Sequence, residues 1–193
     1  FNKEDLKCRF FRKEFPEKGD VVIVKIVSVS IEGGYVELLE YNNKQAMILS
    51  ANTTRKRVKN VRKLLRLGTE DFMHVTAVDE KGYVDLSKKT IQPIDIEEKK
   101  VEFNKAKIAN LILRLTAFNL KCKLIELYEA FGWDLHDEFG NIHDAFKLCL
   151  NDPEMVFSKI TITEEQKTEL LKSIQKKMSV APSKIRTLFN LKC

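Results

Sequence analysis

Val21-Val22-Ile23-Val24-Lys25-Ile26-Val27-Ser28-Val29 is the stretch that decides the fold. β-Branched residues dominate it, and their stiff χ1 favours an extended chain. Reading outward, Gly33-Gly34 turns the chain and Tyr35 to Leu39 starts a second strand, which Asn42-Asn43 breaks. Ala46 to Leu49 reads as a third strand and Phe72 to Val78 as a fourth. After the turn residues Lys81-Gly82, Tyr83 to Ser87 reads as a fifth. Five short strands with a long polar insertion after the third fit a five-stranded barrel of the OB type. A sandwich needs about seven.

Past Pro93 the period changes. Val101, Ile108, Leu111, Ile112, Leu115 and Phe118 recur at helical spacing, through a segment without Gly or Pro. A second helix is expected from Lys121 to Phe131, ended by Gly132, and a third around Ile142, Ala145, Phe146 and Cys149, stopped near Pro153. Thr163-Glu164-Glu165-Gln166 is a capping box that opens a fourth, with Leu170, Leu171, Ile174 and Met178 inward. Trp133, Phe131 and Phe146 read as packing residues of this helical part, whereas Tyr35 and Phe72 suit either core or a stacking platform. The fold class is therefore a β barrel followed by a compact all-helical domain. The expected division is a barrel domain over residues 1–91, a helical domain over 92–182, and the start of a third domain over 183–193. That last stretch alternates like a strand through Ile185, Thr187, Phe189 and Leu191, and a lone strand is not stable.

Charge narrows the function. The net charge is only +6, but no Asp or Glu lies between Glu40 and Glu70, while Lys44, Arg55, Lys56, Arg57, Lys59, Arg62, Lys63 and Arg66 all do. Such a field attracts polyanions or acidic surfaces. Cys8, Cys122, Cys149 and Cys193 have no CxxC spacing, and His74, His136 and His143 are not spaced as ligands, so no metal and no cofactor is expected. Without an apolar run of membrane length or a signal-peptide core, the expected location is cytoplasmic, with no membrane partner. No nucleophile with its base, no acid pair and no P-loop is legible, so the chain does not read as an enzyme.

Several segments resemble the alpha subunit of eukaryotic translation initiation factor 2. Cys8-Arg9-Phe10-Phe11 with Lys13 and Phe15-Pro16-Glu17 is similar to that family's opening. Gly34-Tyr35-Val36, then Leu38-Leu39-Glu40-Tyr41-Asn42-Asn43 and Met47-Ile48-Leu49, resemble its second and third strands. Lys81-Gly82-Tyr83-Val84-Asp85-Leu86-Ser87-Lys88 is similar to its KGYIDLSKR signature, and Asp144-Ala145-Phe146-Lys147 with Asp152-Pro153 to its helical domain. The resemblance implies an S1-type barrel, a helical domain, and a third domain that binds the gamma subunit.

It also implies roles. The family's phosphoacceptor is a serine followed by three arginines, in a loop after the third strand; here that loop spans residues 50–63. Counting from either flank places the acceptor at Thr54, followed by Arg55, Lys56 and Arg57. Threonine adds a methyl group that restricts χ1, and Lys56 gives up a bidentate fork. From residue chemistry alone Ser50 or Thr53 also fits the acceptor. Arg57 and Lys59 resemble the family's messenger-RNA contacts, and Lys81, Gly82, Tyr83, Val84 and Asp85 resemble its kinase-docking turn.

The implied function is that of a regulatory subunit of the factor that delivers initiator methionyl-tRNA to the small ribosomal subunit. Phosphorylation would turn it into an inhibitor of its guanine-nucleotide exchange factor. Implied partners are the beta and gamma subunits, the exchange factor, initiator tRNA, mRNA, the small ribosomal subunit and stress-responsive protein kinases. The alternative is a generic S1-type RNA-binding module of a ribonuclease or ribosome-associated protein, which explains the barrel and basic loop but not the helical motifs.

Overall fold

The computed structural model describes residues 2–55 and 63–178. The expected third-domain segment 183–193 and the basic residues Lys56, Arg57 and Lys59 lie outside the described residues. Five strands, β1 (Val21–Val29), β2 (Gly33–Leu38), β3 (Lys44–Leu49), β4 (Glu70–Val78) and β5 (Val84–Ser87), form a closed barrel in the order β1-β2-β3-β5-β4. All pairs are antiparallel except β3 with β5, where Met47 faces Asp85 and Ile48 faces Leu86. Among the described residues, closure leaves no sheet edge to pair with another chain.

Val22, Val24 and Ile26 alternate into the barrel, where they meet Val36, Leu38 and Ile48, all at most 1% exposed. Ile23, on the opposite face of β1, is sealed as well, because β1 is covered by the helices. That double burial is why β1 reads as a continuous apolar run. β2 ends at Leu38 in a 3-10 turn over Leu39–Tyr41, and Asn42 and Asn43, both left-handed, then turn the chain into β3. Gly33-Gly34 is not itself the turn. The bend falls at Ile31 and Glu32, closed by Ser30 N–H donating to Gly33 O at 2.7 Å, and both glycines begin β2. Gly33 has φ +153°, and a Cβ there would lie 2.1 Å from Ile48 O, so close strand approach demands glycine.

The helical part comprises α1 (Pro93–Leu120), α2 (Leu124–Leu127), α3 (Trp133–Phe139), α4 (Ile142–Cys149), α5 (Pro153–Phe157) and α6 (Glu164–Met178). Gln92 N–H donates to Asp95 Oδ2 at 2.8 Å and Pro93 supplies the first turn of α1. The expected capping box at α6 is present: Gln166 N–H donates to Thr163 Oγ1 at 3.3 Å and Thr163 N–H to Gln166 Oε1 at 3.2 Å. Asp152 caps α5 through Met155 N–H ahead of Pro153.

Two helical expectations change. Gly132 does not end a helix; a π turn over Tyr128–Gly132 carries the chain from α2 into α3, with Gly132 itself at helical φ −62° and ψ −46°. A side chain there would crowd the Tyr128 ring, at 3.0 Å, so tight packing rather than chain termination selects glycine. On α1, Ile112 is buried as expected, but Val101, Ile108 and Leu111 are exposed, while Phe103, Ala109, Leu113 and Ala117 are buried. Large apolar residues mark a stripe in the sequence, but small ones admit the neighbouring helices. The helical core centres on Tyr128, Phe131 and Phe146, with Asn110 Nδ2 donating to the buried Tyr128 hydroxyl at 2.9 Å.

The barrel and helices are joined by a strap formed by residues 8–15. The expected assignment of residues 1–91 to the barrel misses this, because Cys8 belongs to the helical core. Phe10 N–H donates to Glu40 O at 2.8 Å, and its ring stacks on Phe103 of α1 at 6.2 Å. Phe11 lies between Tyr41 and His136, each at 5.5 Å. The Arg12 guanidinium reaches Asp134 at 2.6 Å and Asp137 at 3.1 Å. Beneath the strap, Glu40 is 1% exposed and Lys99 Nζ approaches its Oε1 at 3.0 Å, outside hydrogen-bonding alignment. Burial outweighs the attraction of Lys99 and pushes the Glu40 carboxyl from 4.5 up to about 7.

A carboxyl raised on folding stabilises the fold most below its unfolded value, and this contribution declines as pH rises through the folded value. Relative to Glu40→Gln, the wild type should therefore lose about 3 kcal/mol between pH 4.5 and 7. Urea unfolding of both proteins across that window measures the gap, and a constant gap would show that Glu40 titrates normally.

Candidate functional site

The basic loop leaves β3 through a tight turn over Ser50–Asn52. Ser50 N–H donates to Glu32 O at 2.7 Å, which pins the turn to the β1–β2 bend. Thr53 is 5% exposed and its Oγ1 donates to Ser50 O at 2.7 Å, so its hydroxyl is committed inside the stem. Thr54 is half-buried and Arg55 exposed, with Arg55 Nε donating to Lys89 O at 2.8 Å. Of the two adjacent threonines, only Thr54 thus combines accessibility with the expected position; Ser50 is also half-buried. Where the described chain resumes, Lys63 and Arg66 are exposed and Leu65, 1% exposed, plugs the barrel core. The loop is therefore anchored at both feet, by a hydrogen-bonded turn and by a buried leucine.

Lys81 to Asp85 forms the expected turn into β5. Asp79 organises it: its Oδ1 accepts from Lys81 N–H at 2.9 Å and from Tyr83 N–H at 2.7 Å, while Gly82 N–H donates to Asp79 O at 3.0 Å. This aspartate-closed turn leaves Lys81 exposed and Tyr83 70% exposed, whereas Val84 is buried and Asp85 half-buried. Gly82 sits at φ +81°, and a Cβ on it would come within 2.3 Å of Phe15 Cζ. The strap residue Phe15 thus lies directly against the turn, and Lys44 Nζ, 3.5 Å from the centre of the Phe15 ring, covers it. Lys44 in turn pairs with Glu14 at 2.6 Å.

Strand pairing extends this surface. Asp85 faces Met47, and Met47 faces Tyr35, so the three cross β5, β3 and β2 in one row, with Tyr35 48% exposed. Sequence reasoning left Tyr35 undecided between core and platform; the structure puts it outside. Phe72 is half-buried and does not belong to the barrel core. Burial pushes the Cys8 and Cys149 thiols up to about 12, so both stay protonated and unreactive near neutral pH. Among the described residues, no cluster of His, Cys, Asp and Glu is arranged to hold a metal ion, and no helix is long and apolar enough to cross a membrane.

Comparison with known proteins places this geometry. A eukaryotic translation initiation factor 2 subunit alpha homolog of Arabidopsis thaliana is 34% identical, across 98% of this chain and 61% of the relative. Initiation factor 2 subunit 1 of Plasmodium falciparum is 37% identical, across 99% and 59%. This chain belongs to the initiation factor 2 alpha-subunit family. The family model described as "Eukaryotic translation initiation factor 2 alpha subunit" matches residues 127–193. The intact alpha subunit of aIF2 from Pyrococcus abyssi superposes with a TM-score of 0.78 at 25% identity, covering 86% of this chain and 64% of that one. The alpha subunit in an rRNA complex with aDim2p from Pyrococcus horikoshii superposes at 0.71 with 26% identity, covering 84% and 96%. The chain spans about 60% of the length of the curated relatives it matches. The barrel followed by helices is thus the family architecture.

Gly82→Ala should destabilise the fold by about 1–3 kcal/mol, since it adds both a strained backbone and a clash with Phe15. Tyr83→Ala, truncating an exposed ring, should stay within about 0.5 kcal/mol of the wild type. Urea midpoints measure both; equal midpoints for Gly82→Ala and wild type would show that Phe15 simply moves aside.

Proposed function

We propose that this chain acts in translation initiation as the regulatory part of an alpha subunit, in the complex that delivers initiator methionyl-tRNA to the small ribosomal subunit. The observation that carries this reading is the similarity to initiation factor 2 alpha subunits over nearly the whole chain. The complex would include beta and gamma subunits, and the setting would be the cytoplasm. RNA contact would be led by phosphates and weakened by salt, through the basic run that begins at Arg55 and includes Arg57 and Lys59.

Thr54 is the proposed phosphoacceptor. Its support is positional: Thr53 is sealed and hydrogen-bonded, and Thr54 comes next, beside a row of cations. In the transfer, Thr54 Oγ1 bonds to the γ-phosphorus of ATP, the bond from that phosphorus to the ADP oxygen breaks, and the hydroxyl proton passes to the kinase's catalytic base. The product carries roughly −1.5 to −2 charges. A surface that was purely cationic then presents a dianion flanked by arginine, and a nucleotide-exchange factor reading this surface meets a different ligand. Docking of the kinase is assigned to Lys81, Gly82, Tyr83, Val84 and Asp85, since a rigid turn with an exposed aromatic ring offers an anchor that a short loop lacks.

Incubation with a kinase of initiation factor 2 alpha subunits, followed by mass-spectrometric mapping, tests the assignment. Thr54→Ala should abolish labelling, and Tyr83→Ala should slow it at least tenfold while the fold stays intact. Undiminished labelling of Thr54→Ala would sink the phosphoacceptor, and an unchanged rate for Tyr83→Ala would remove the docking role.

A further inference from the structure

Beyond the last residues of β3 and β5, the two chain segments continue side by side. Lys88 N–H donates to Asn52 O at 2.9 Å, and Ser87 Oγ lies 3.4 Å from the same carbonyl. Arg55 adds the outermost tie, through its Nε to Lys89 O. Residues 88–92, of which Lys88 and Lys89 make these contacts, are the connection between β5 and α1. That connection is held on its other side by His74 of β4, whose Nδ1 lies 2.8 Å from Thr90 Oγ1 and whose Nε2 lies 3.8 Å from Asp95 Oδ2. The stem of the basic loop and the joint of the molecule are therefore one hydrogen-bonded unit.

We propose that Arg55 couples the chemical state of Thr54 to this joint: a phosphate on Thr54 takes the Arg55 guanidinium from the Lys89 carbonyl, and the 88–92 connection loosens. The proposal rests on Thr54 being the phosphoacceptor. The competition for Arg55 is unequal. A phosphate on the neighbouring residue offers charged oxygens, and charge-assisted hydrogen bonds are roughly twice as strong as neutral ones. The guanidinium edge that contains Nε, now spent on a single carbonyl, suits a bidentate grip on phosphate. Because Arg55 is exposed, water can replace it on Lys89 O, so its departure leaves no orphaned acceptor. What is lost is a tie that holds the entry to α1 against the loop stem. Arg55 is in this account a positioning residue, and the modified loop acts on the barrel–helix joint as well as on its own surface.

Hydrogen exchange read by mass spectrometry on the full chain tests the coupling in two arms. In unmodified protein, Arg55→Ala should speed amide exchange over residues 88–92 severalfold and leave β1 and α4 unchanged. No change there overturns the coupling, whatever happens at Thr54. In protein phosphorylated on Thr54, the same amides should speed up to a similar degree, and phosphorylating the Arg55→Ala variant should add nothing further. A phosphate effect that persists in full on top of the variant's overturns the competition for Arg55, because the phosphate then acts by another route. Labelling at a residue other than Thr54 overturns the phosphoacceptor reading and the phosphate arm together, while the first arm still decides the tether.

Discussion

The parallel pairing of β3 with β5, Met47 opposite Asp85 and Ile48 opposite Leu86, is the constraint on which the site depends. Parallel neighbours send their chain ends out of the barrel on the same side. The basic loop leaves from one and the connection to α1 from the other, so the two emerge together and share hydrogen bonds. At the opposite end of β5, the aspartate-closed turn carrying Tyr83 enters the sheet beside Lys44 at the start of β3. An all-antiparallel barrel would have separated these elements. The order β1-β2-β3-β5-β4 thus arranges the loop and the joint at one end and the exposed turn at the other, with the row Tyr35, Met47 and Asp85 crossing between.

The second constraint is the seal between barrel and helices. Two small cores are each modest, and the strap gives them a common layer of Phe10, Phe11, Tyr41 and Phe103. Closing that layer over Glu40 costs energy, because a carboxylate stripped of water is only partly compensated by one ammonium at 3.0 Å. The raised carboxyl is the measure of that cost. Removing Lys99 alone would leave the burial and discard the compensation, whereas exchanging both partners for apolar groups would remove the problem.

Strand identity was legible because β-branched runs and asparagine pairs act locally, and the turn at Lys81-Gly82 was legible for the same reason. The five-stranded barrel and the helical part after Pro93 followed from those signals. Pairing partners were not legible, since nothing local in Tyr35 announces that it stands beside Met47 and, beyond it, Asp85. The strap was missed for a related reason: Phe10 and Phe11 read as a motif, with no hint that they bridge two cores. On α1 the expected stripe was right at Ile112 and wrong at Val101, Ile108 and Leu111, because Ala109, Thr116 and Ala117 share the buried face and large apolar residues alone do not mark it. Thr53 is buried and Thr54 half-buried, a difference between adjacent threonines that a list of hydroxyl residues does not contain.

Phe15 pressed against Gly82 joins positions that are far apart along the chain. An aromatic ring at the first is compatible with little but a hydrogen atom at the second. Over evolutionary time the two sites can drift only in concert: a smaller residue at 15 is what would permit a side chain at 82, and the reverse order of events passes through a collision. Diversification of the turn is thereby slaved to a residue that a binding partner need never touch.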